Sequence, residues 1–312
     1  MPEVQRAEIT DLLQKLIAGS PATQEGVALL SDLDREQARS LRASWNTIPR
    51  ETREAIITEA VFLADESVHH EFTALALTAL DDPEPDIRRI AVEALREATD
   101  RTSARRLVSA MLDDPDTGVA AAAAEMLGGF VLNWELQKFN REIGGDIVEA
   151  LRPVVADEAR TVDVRANALE ALGYANLPWV DGLIIEAYYA DERDLRLAAV
   201  HAMGASGNDR WLEYLYEQLN ATDAAFRLEA VVACGEIASE DAIDPVAQRL
   251  YDDDVEIVRS AIRALGEIGG SVAAERLREF AEDAPVLFHI DIREALEAAV
   301  LTLHPEDGKE DL

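Results

Sequence analysis

The chain has 312 residues, 62 of them acidic and 29 basic, giving a net charge of −33. That balance argues against phosphate backbones, which need clustered lysine and arginine, and against docking on an anionic membrane surface. With 48% apolar residues the chain can bury a core, and its charge suits a basic partner, a cation or simple solubility.

The opening MPEVQRAEIT lacks the basic-then-apolar plan of a signal peptide. No apolar run approaches the roughly 20 residues of a membrane helix, so a soluble cytoplasmic protein is expected. Residues 1–66 read as a divergent helical N-terminal cap, a cover for an otherwise exposed core. Within it Asp34 and Gln37 are spaced as a capping box for DREQARSLRASW, and Pro49 can open the next helix.

From residue 67 the chain repeats. VRANALEALG begins at Val164, LRLAAVHAMG at Leu195, FRLEAVVACG at Phe226 and IVRSAIRALG at Ile257. The closing residue of each phrase serves as a ruler: Arg96, Gly128, Gly173, Gly204, Gly235 and Gly266, with steps of 32, 45, 31, 31 and 31. Ala91, Ala123, Ala168, Ala199, Ala230 and Ala261 share one position in it. Val164, Ala168, Ala171 and Leu172 fall at i, i+4, i+7 and i+8, one stripe of a helix. The small side chains predict close helix packing, and the glycine is expected to end the helix as a C-cap. A second apolar helix lies upstream of each phrase, such as VDGLIIEAYYA, joined to it by an acidic turn such as DDPEPD or YDDDVE. Asp86, Asp163 and Asp194 stand where a carboxylate can cap the second helix. One helix pair cannot bury its apolar face alone; stacked pairs can. The fold class expected is all-α, an α-solenoid of antiparallel helix pairs of about 31 residues each, over 67–303. The acidic tail 304–312 is expected to fray.

VRANALEALG nearly spells V-R-x-x-A-A-x-A-L-G, and the array resembles the short HEAT repeats of the phycobilisome-lyase type over roughly residues 69–300. Arg88, Arg165, Arg196 and Arg227 fill the arginine slot; Ala120 and Val258 depart from it, with Arg259 one residue late. The resemblance implies that the second helix of each pair lines a concave side. It leaves function open, since members bind proteins and a few act on cofactors or DNA.

On that geometry the outward positions are Arg89 and Glu93, Ala121 and Glu125, Ala166 and Glu170, Leu197 and His201, Leu228 and Val232, and Arg259 and Arg263, each pair spaced i, i+4. Leu197, Leu228 and Val232 should then be exposed, as at a binding surface. Eight of the chain's 17 aromatic residues lie between Tyr174 and Phe226, fit for an interface or a core. The long step leaves 14 extra residues near 130–145, either a working loop carrying Trp134 and Phe139 or an extended helix packing them. The acidic turns, among them Asp81, Asp82, Asp113, Asp114, Asp191, Glu192, Asp252, Asp253 and Asp254, form either a stripe for a basic partner or helix caps.

Signs of catalysis are sparse. The di-iron site of deoxyhypusine hydroxylase, which this fold resembles, needs repeated His-Glu pairs, and His70-Glu71 is the one pair here. There is no GxxxxGK[ST], and Cys234 occupies a slot filled elsewhere by Leu or Met. The expectation is a non-catalytic scaffold binding a protein or peptide, with no cofactor, metal, nucleic acid or membrane. The alternative is a bilin-lyase-like or metal-dependent protein handling a small molecule.

Overall fold

The alanine ladder sets how the helices meet. Ala91, Ala123, Ala168, Ala199, Ala230 and Ala261 are all 0% exposed. At such positions a methyl group is the largest side chain that lets neighbouring helices close to the short end of the usual range. The computed structural model describes residues 2–66 and 70–301, with side chains from 7 to 300. Among the described residues there is no strand, and the α-helices number 18. The expected fraying of 304–312 lies outside the described residues.

The chain divides into two compact units, Met1–Ala171 and Leu172–Leu312. The first holds α1 (Pro2–Ile17), α2 (Gln24–Ala28), α3 (Arg35–Ser44), α4 (Arg50–Glu66), α5 (Thr73–Ala79), α6 (Pro85–Glu93), α7 (Arg101–Asp113), α8 (Thr117–Glu135), α9 (Arg141–Ala156) and most of α10 (Val162–Gly173). The capping box is formed: Asp34 accepts from the Glu36 and Gln37 N–H groups while Gln37 accepts from the Asp34 N–H. Asp82 is buried, accepting from Trp45 Nε1 at 2.7 Å and ion-paired with Arg53 at 3.0 Å. The extra residues extend a helix: α8 runs on to Glu135. Trp134 lies over Gly144, where a Cβ would stand 2.2 Å from its ring, and donates to the Arg141 carbonyl. Phe139 meets Phe130 edge to face at 5.3 Å.

The second unit holds α11 (Pro178–Tyr188), α12 (Arg193–Ala205), α13 (Leu212–Leu219), α14 (Ala224–Ile237), α15 (Ile243–Ala247), α16 (Val255–Ile268), α17 (Gly270–Ala281) and α18 (His289–Leu301). Here α12, α14, α16 and α18 pack side by side as one layer, with α11, α13, α15 and α17 as the other.

Two expectations about local chemistry are corrected. In this unit none of the ruler glycines takes the left-handed conformation of a C-cap, although Gly173 is the last residue of α10. Helix α14 continues past Gly235 to Ile237, and α16 continues past Gly266 to Ile268. Instead each glycine faces an alanine of the next second helix: Gly204 faces Ala233, Gly235 faces Ala264 and Gly266 faces Ala295. A Cβ at Gly204 would lie 2.6 Å from the Ala233 Cα, so the missing side chain is what admits the neighbour. Nor do Asp86, Asp163 and Asp194 cap. They sit in the first turns of α6, α10 and α12, where the dipole favours them, with Arg50 near Asp86 and Arg193 near Asp194. The capping carboxylates are Asp100, Asp116, Asp223 and Asp254.

The arginine slot joins turns together. Arg227 donates to the Ala221 and Thr222 carbonyls of the turn after α13, and makes a two-pronged pair with Asp252 of the next turn at 3.0 Å per bond. Arg88 repeats the arrangement with the Asp82 and Pro83 carbonyls and with Asp114. This accounts for acids at the end of a first helix, where the dipole alone disfavours them.

Candidate functional site

The face built by α12, α14 and α16 gathers the expected residues of the second unit. Leu197 and His201 come from α12, Leu228 and Val232 from α14, and Arg259 and Arg263 from α16. Their inner neighbours Ala198, Ala199, Ala230, Val231, Ala261 and Ile262 are buried and fix each helix in rotation. Leu197, Leu228 and Val232 are half-buried, not exposed as expected. The helices that carry them pack side by side, and the three apolar side chains remain partly in water along one face.

Carboxylates rim it. His201 Nδ1 lies 2.9 Å from Glu229 Oε1, with 29% and 24% of those side chains exposed. Glu236 is exposed as a residue, but its carboxyl folds back over Gly204, so that a Cβ there would stand 2.5 Å from Oε2. Glu267 takes the same position over Gly235. Burial of its carboxyl end pushes Glu236 above the ordinary glutamate value; the charges of Glu229 and Glu267 add to this, while His201 and Arg263 oppose it. Glu229, Glu236 and Glu267 are not apparent as site residues from helix spacing alone. The signal that could have found two of them is the Gly-Glu step repeated at 235–236 and 266–267. Arg263 lies 3.9 Å from Glu267, and Arg259 is held by Glu256 and Asp291.

Other expected residues are placed apart from this strip. In the first unit Arg89, Glu93 and Glu125 are exposed and Glu170 is half-buried. Trp134 and Phe139 are half-buried; Trp134 packs on Gly144 and Arg141 of α9, beyond its own α7–α8 pair, and Phe139 on Phe130, as in the extended-helix alternative. The aromatic concentration belongs mostly to packing. Trp211, Tyr188 and Phe226 are buried, and Tyr214 meets both Tyr188 and Trp211 edge to face. Burial pushes the Tyr188 hydroxyl up to about 12. Of the acidic turns, Asp82, Asp114 and Asp252 are taken up by arginines. Glu71 caps the Thr73 N–H, His70 stacks on Phe72, and His69 lies outside the described residues. Among the described residues no three His, Cys, Asp or Glu side chains are grouped to hold a metal. None of the described helices is long and apolar enough to cross a membrane. Cys234 is buried, and burial raises its thiol to about 12.

Stacked helix pairs of this period define an α-solenoid repeat protein. A family model of HEAT repeats matches residues 72–130, 180–263 and 212–299, more than half of the chain, and the chain belongs to that family. No curated protein matches it. Among solved structures it is similar to YibA of Escherichia coli, at 16% identity over 90% of this chain and 98% of that one, with a TM-score of 0.48. It is also similar to the CpcE–CpcF complex of phycocyanin lyase from Nostoc sp. PCC7120, at 16% identity over 73% and 94%, TM-score 0.49. The third is importin beta, at 16% identity over 96% of this chain and 47% of that one, TM-score 0.49. Likenesses of this degree say nothing about function.

Proposed function

We propose that the chain is a non-catalytic scaffold which binds a basic, partly apolar protein segment along the α12–α14–α16 face. The observation that carries this reading is the half-buried strip of Leu197, Leu228 and Val232 with Glu229, Glu236 and Glu267 along it. Apolar positions give a segment something to cover, and carboxylates along the same line select lysine or arginine beside them. A net charge of −33 draws such a segment in before contact. Arg259 and Arg263 mark the end of the acidic stretch and suit an acidic residue of the partner. Arg89, Glu93, Glu125 and Glu170 offer a mixed but mostly acidic surface of similar character in the first unit. The compartment that fits this reading is the cytoplasm.

A fluorescein-labelled octapeptide of alternating Lys and Leu tests it by anisotropy, with alternating Glu and Leu as the control. The Lys-Leu peptide should bind with an affinity that falls as salt rises. It should lose about tenfold in Leu228→Ser and in Glu229→Gln, about 1.4 kcal/mol each. Equal binding of the two peptides, or indifference to both substitutions, would refute the proposal.

A further inference from the structure

We infer that the second unit carries a second peptide-docking site, a hollow at the turn before α16 that takes a bulky apolar side chain flanked by lysine or arginine. The hollow has a volume of about 380 Å³ and eleven lining residues, among them Tyr251, Val255, Val258, Phe280, Leu287 and Phe288. Eight of these eleven are apolar or aromatic, and the other three are carboxylates with no cation among them. Its floor is ordered: Phe280 meets Tyr251 edge to face at 5.5 Å and stands 6.2 Å from Phe288. Its mouth is uncovered, with Tyr251 73%, Leu287 53% and Val255 46% exposed, and Val286 and Ile290 exposed beside it. A group of large apolar side chains left in water around a concavity is the usual mark of a docking surface, where one anchor side chain fills the hollow.

Charge decides the occupant. Asp252 is taken up by Arg227 and Arg249, and Glu279 by Arg276, while Asp283 stands exposed at the rim. A cation beside the anchor would therefore meet one carboxylate not taken up by an arginine, that of Asp283. The chain's own residues 302–312 carry Glu306, Asp307, Glu310 and Asp311 against Lys309, the wrong sign for this rim. A second copy, at −33, is wrong in the same way. A basic segment with an apolar anchor is the occupant of matching chemistry. This inference does not rest on the α12–α14–α16 strip, whose residues line none of the hollow.

The test uses the full chain with ¹³C-labelled Ile, Leu and Val methyl groups, titrated with the acetylated, amidated tripeptide Lys-Trp-Lys and with Glu-Trp-Glu. The methyl signals of Val255, Val258 and Leu287 should move together with Lys-Trp-Lys and require at least about tenfold more Glu-Trp-Glu. Leu287→Asp should abolish the response. Asp283→Asn, which leaves the apolar wall intact, should reduce only the preference between the peptides. Still signals at these three residues would overturn the inference. So would equal response to both peptides, or shifts that appear with protein concentration alone and reveal a second copy as occupant. Movement confined to Leu197, Leu228 and Val232 would overturn it too, while leaving the proposed function standing.

Discussion

Replacing Gly204 by alanine separates a glycine that ends a helix from one that admits a neighbour. Helix propensity favours the change, since alanine gains about 0.5–1 kcal/mol over glycine inside a helix. Packing opposes it. The new Cβ would stand 2.6 Å from the Ala233 Cα and 2.7 Å from its Cβ, and 2.5 Å from Glu236 Oε2. The Glu236 carboxyl can swing away, but the Ala233 backbone cannot. Carbon atoms settle at roughly 3.5–4.0 Å, so α12 and α14 must part by about 1 Å. Overpacking of this kind costs about 1–3 kcal/mol, leaving a net loss of up to about 2.5 kcal/mol. For a unit of this size that lowers the Tm by roughly 2–4 °C per kcal/mol. Gly182 in α11 is the control, because nothing lies within 4 Å of a Cβ built there and its φ is ordinary. Gly182→Ala should raise the Tm, where Gly204→Ala lowers it. Urea melts followed by far-UV circular dichroism, with thermal melts beside them, measure both. A Gly204→Ala protein as stable as the parent would refute the close-approach argument, and with it the account of why this position recurs.

Three further outcomes come from the electrostatics and the core. Arg227→Ala takes the two-pronged partner from the nearly buried Asp252 carboxylate, leaving it Arg249 at 3.6 Å and the Asp254 N–H, and leaves two carbonyls without their donor; with 17% of Arg227 still in water the loss should be about 2 kcal/mol, below that of a fully buried pair. Burial works to raise Asp252, but the Arg227 hydrogen bonds, the Asp254 N–H and the charges of Arg227 and Arg249 outweigh it and hold the carboxyl below its ordinary value. The stability this supplies is present above the unfolded aspartate value and lost as pH falls through the lower folded one, so parent and variant should converge in acid urea melts. Glu236 has the opposite sign: its raised folded value means the charged form is disfavoured, so Glu236→Gln should stabilise at pH 7, with the gain vanishing as pH drops below the ordinary glutamate range. The buried Cys234 thiol, raised to about 12, should resist iodoacetamide at pH 8.5 until urea opens the unit, and rapid labelling of the folded protein would contradict its burial.

The fold was legible because its requirements are periodic. A position that must be small in every copy shows as Ala91, Ala123, Ala168, Ala199, Ala230 and Ala261 without any knowledge of contacts. The glycine was legible in place but not in purpose. A C-cap and a close approach both call for glycine, and only the continuation of the helix tells them apart; Ile237 and Ile268, two residues on, were the available hint. The arginine staple was hidden for a different reason. Arg227 meets Asp252 across 25 residues, in the turn of the next repeat, and helix spacing speaks only about neighbours three or four apart. The half-burial of Leu197 and Leu228 was illegible too, because spacing along one helix does not report how closely its neighbours pack.

This division says where specificity can reside in such a molecule. Positions that face the next repeat must satisfy it, and they come out alike: alanine in the ladder, glycine opposite Ala233, Ala264 and Ala295. The position three residues before the ruler is half-buried or exposed and holds Glu170, His201, Val232 and Arg263 in successive copies. A solenoid can change these without disturbing its stack, since stability sums over repeats and their interfaces. His201→Val should therefore leave the melt nearly unchanged while releasing Glu229 from its 2.9 Å partner. The Lys-Leu octapeptide should then bind more tightly, because the carboxylate no longer has the imidazole at hydrogen-bond distance. Weaker binding of that peptide would mean that the histidine contacts the ligand itself, and that the pair is not a brake on the acidic strip.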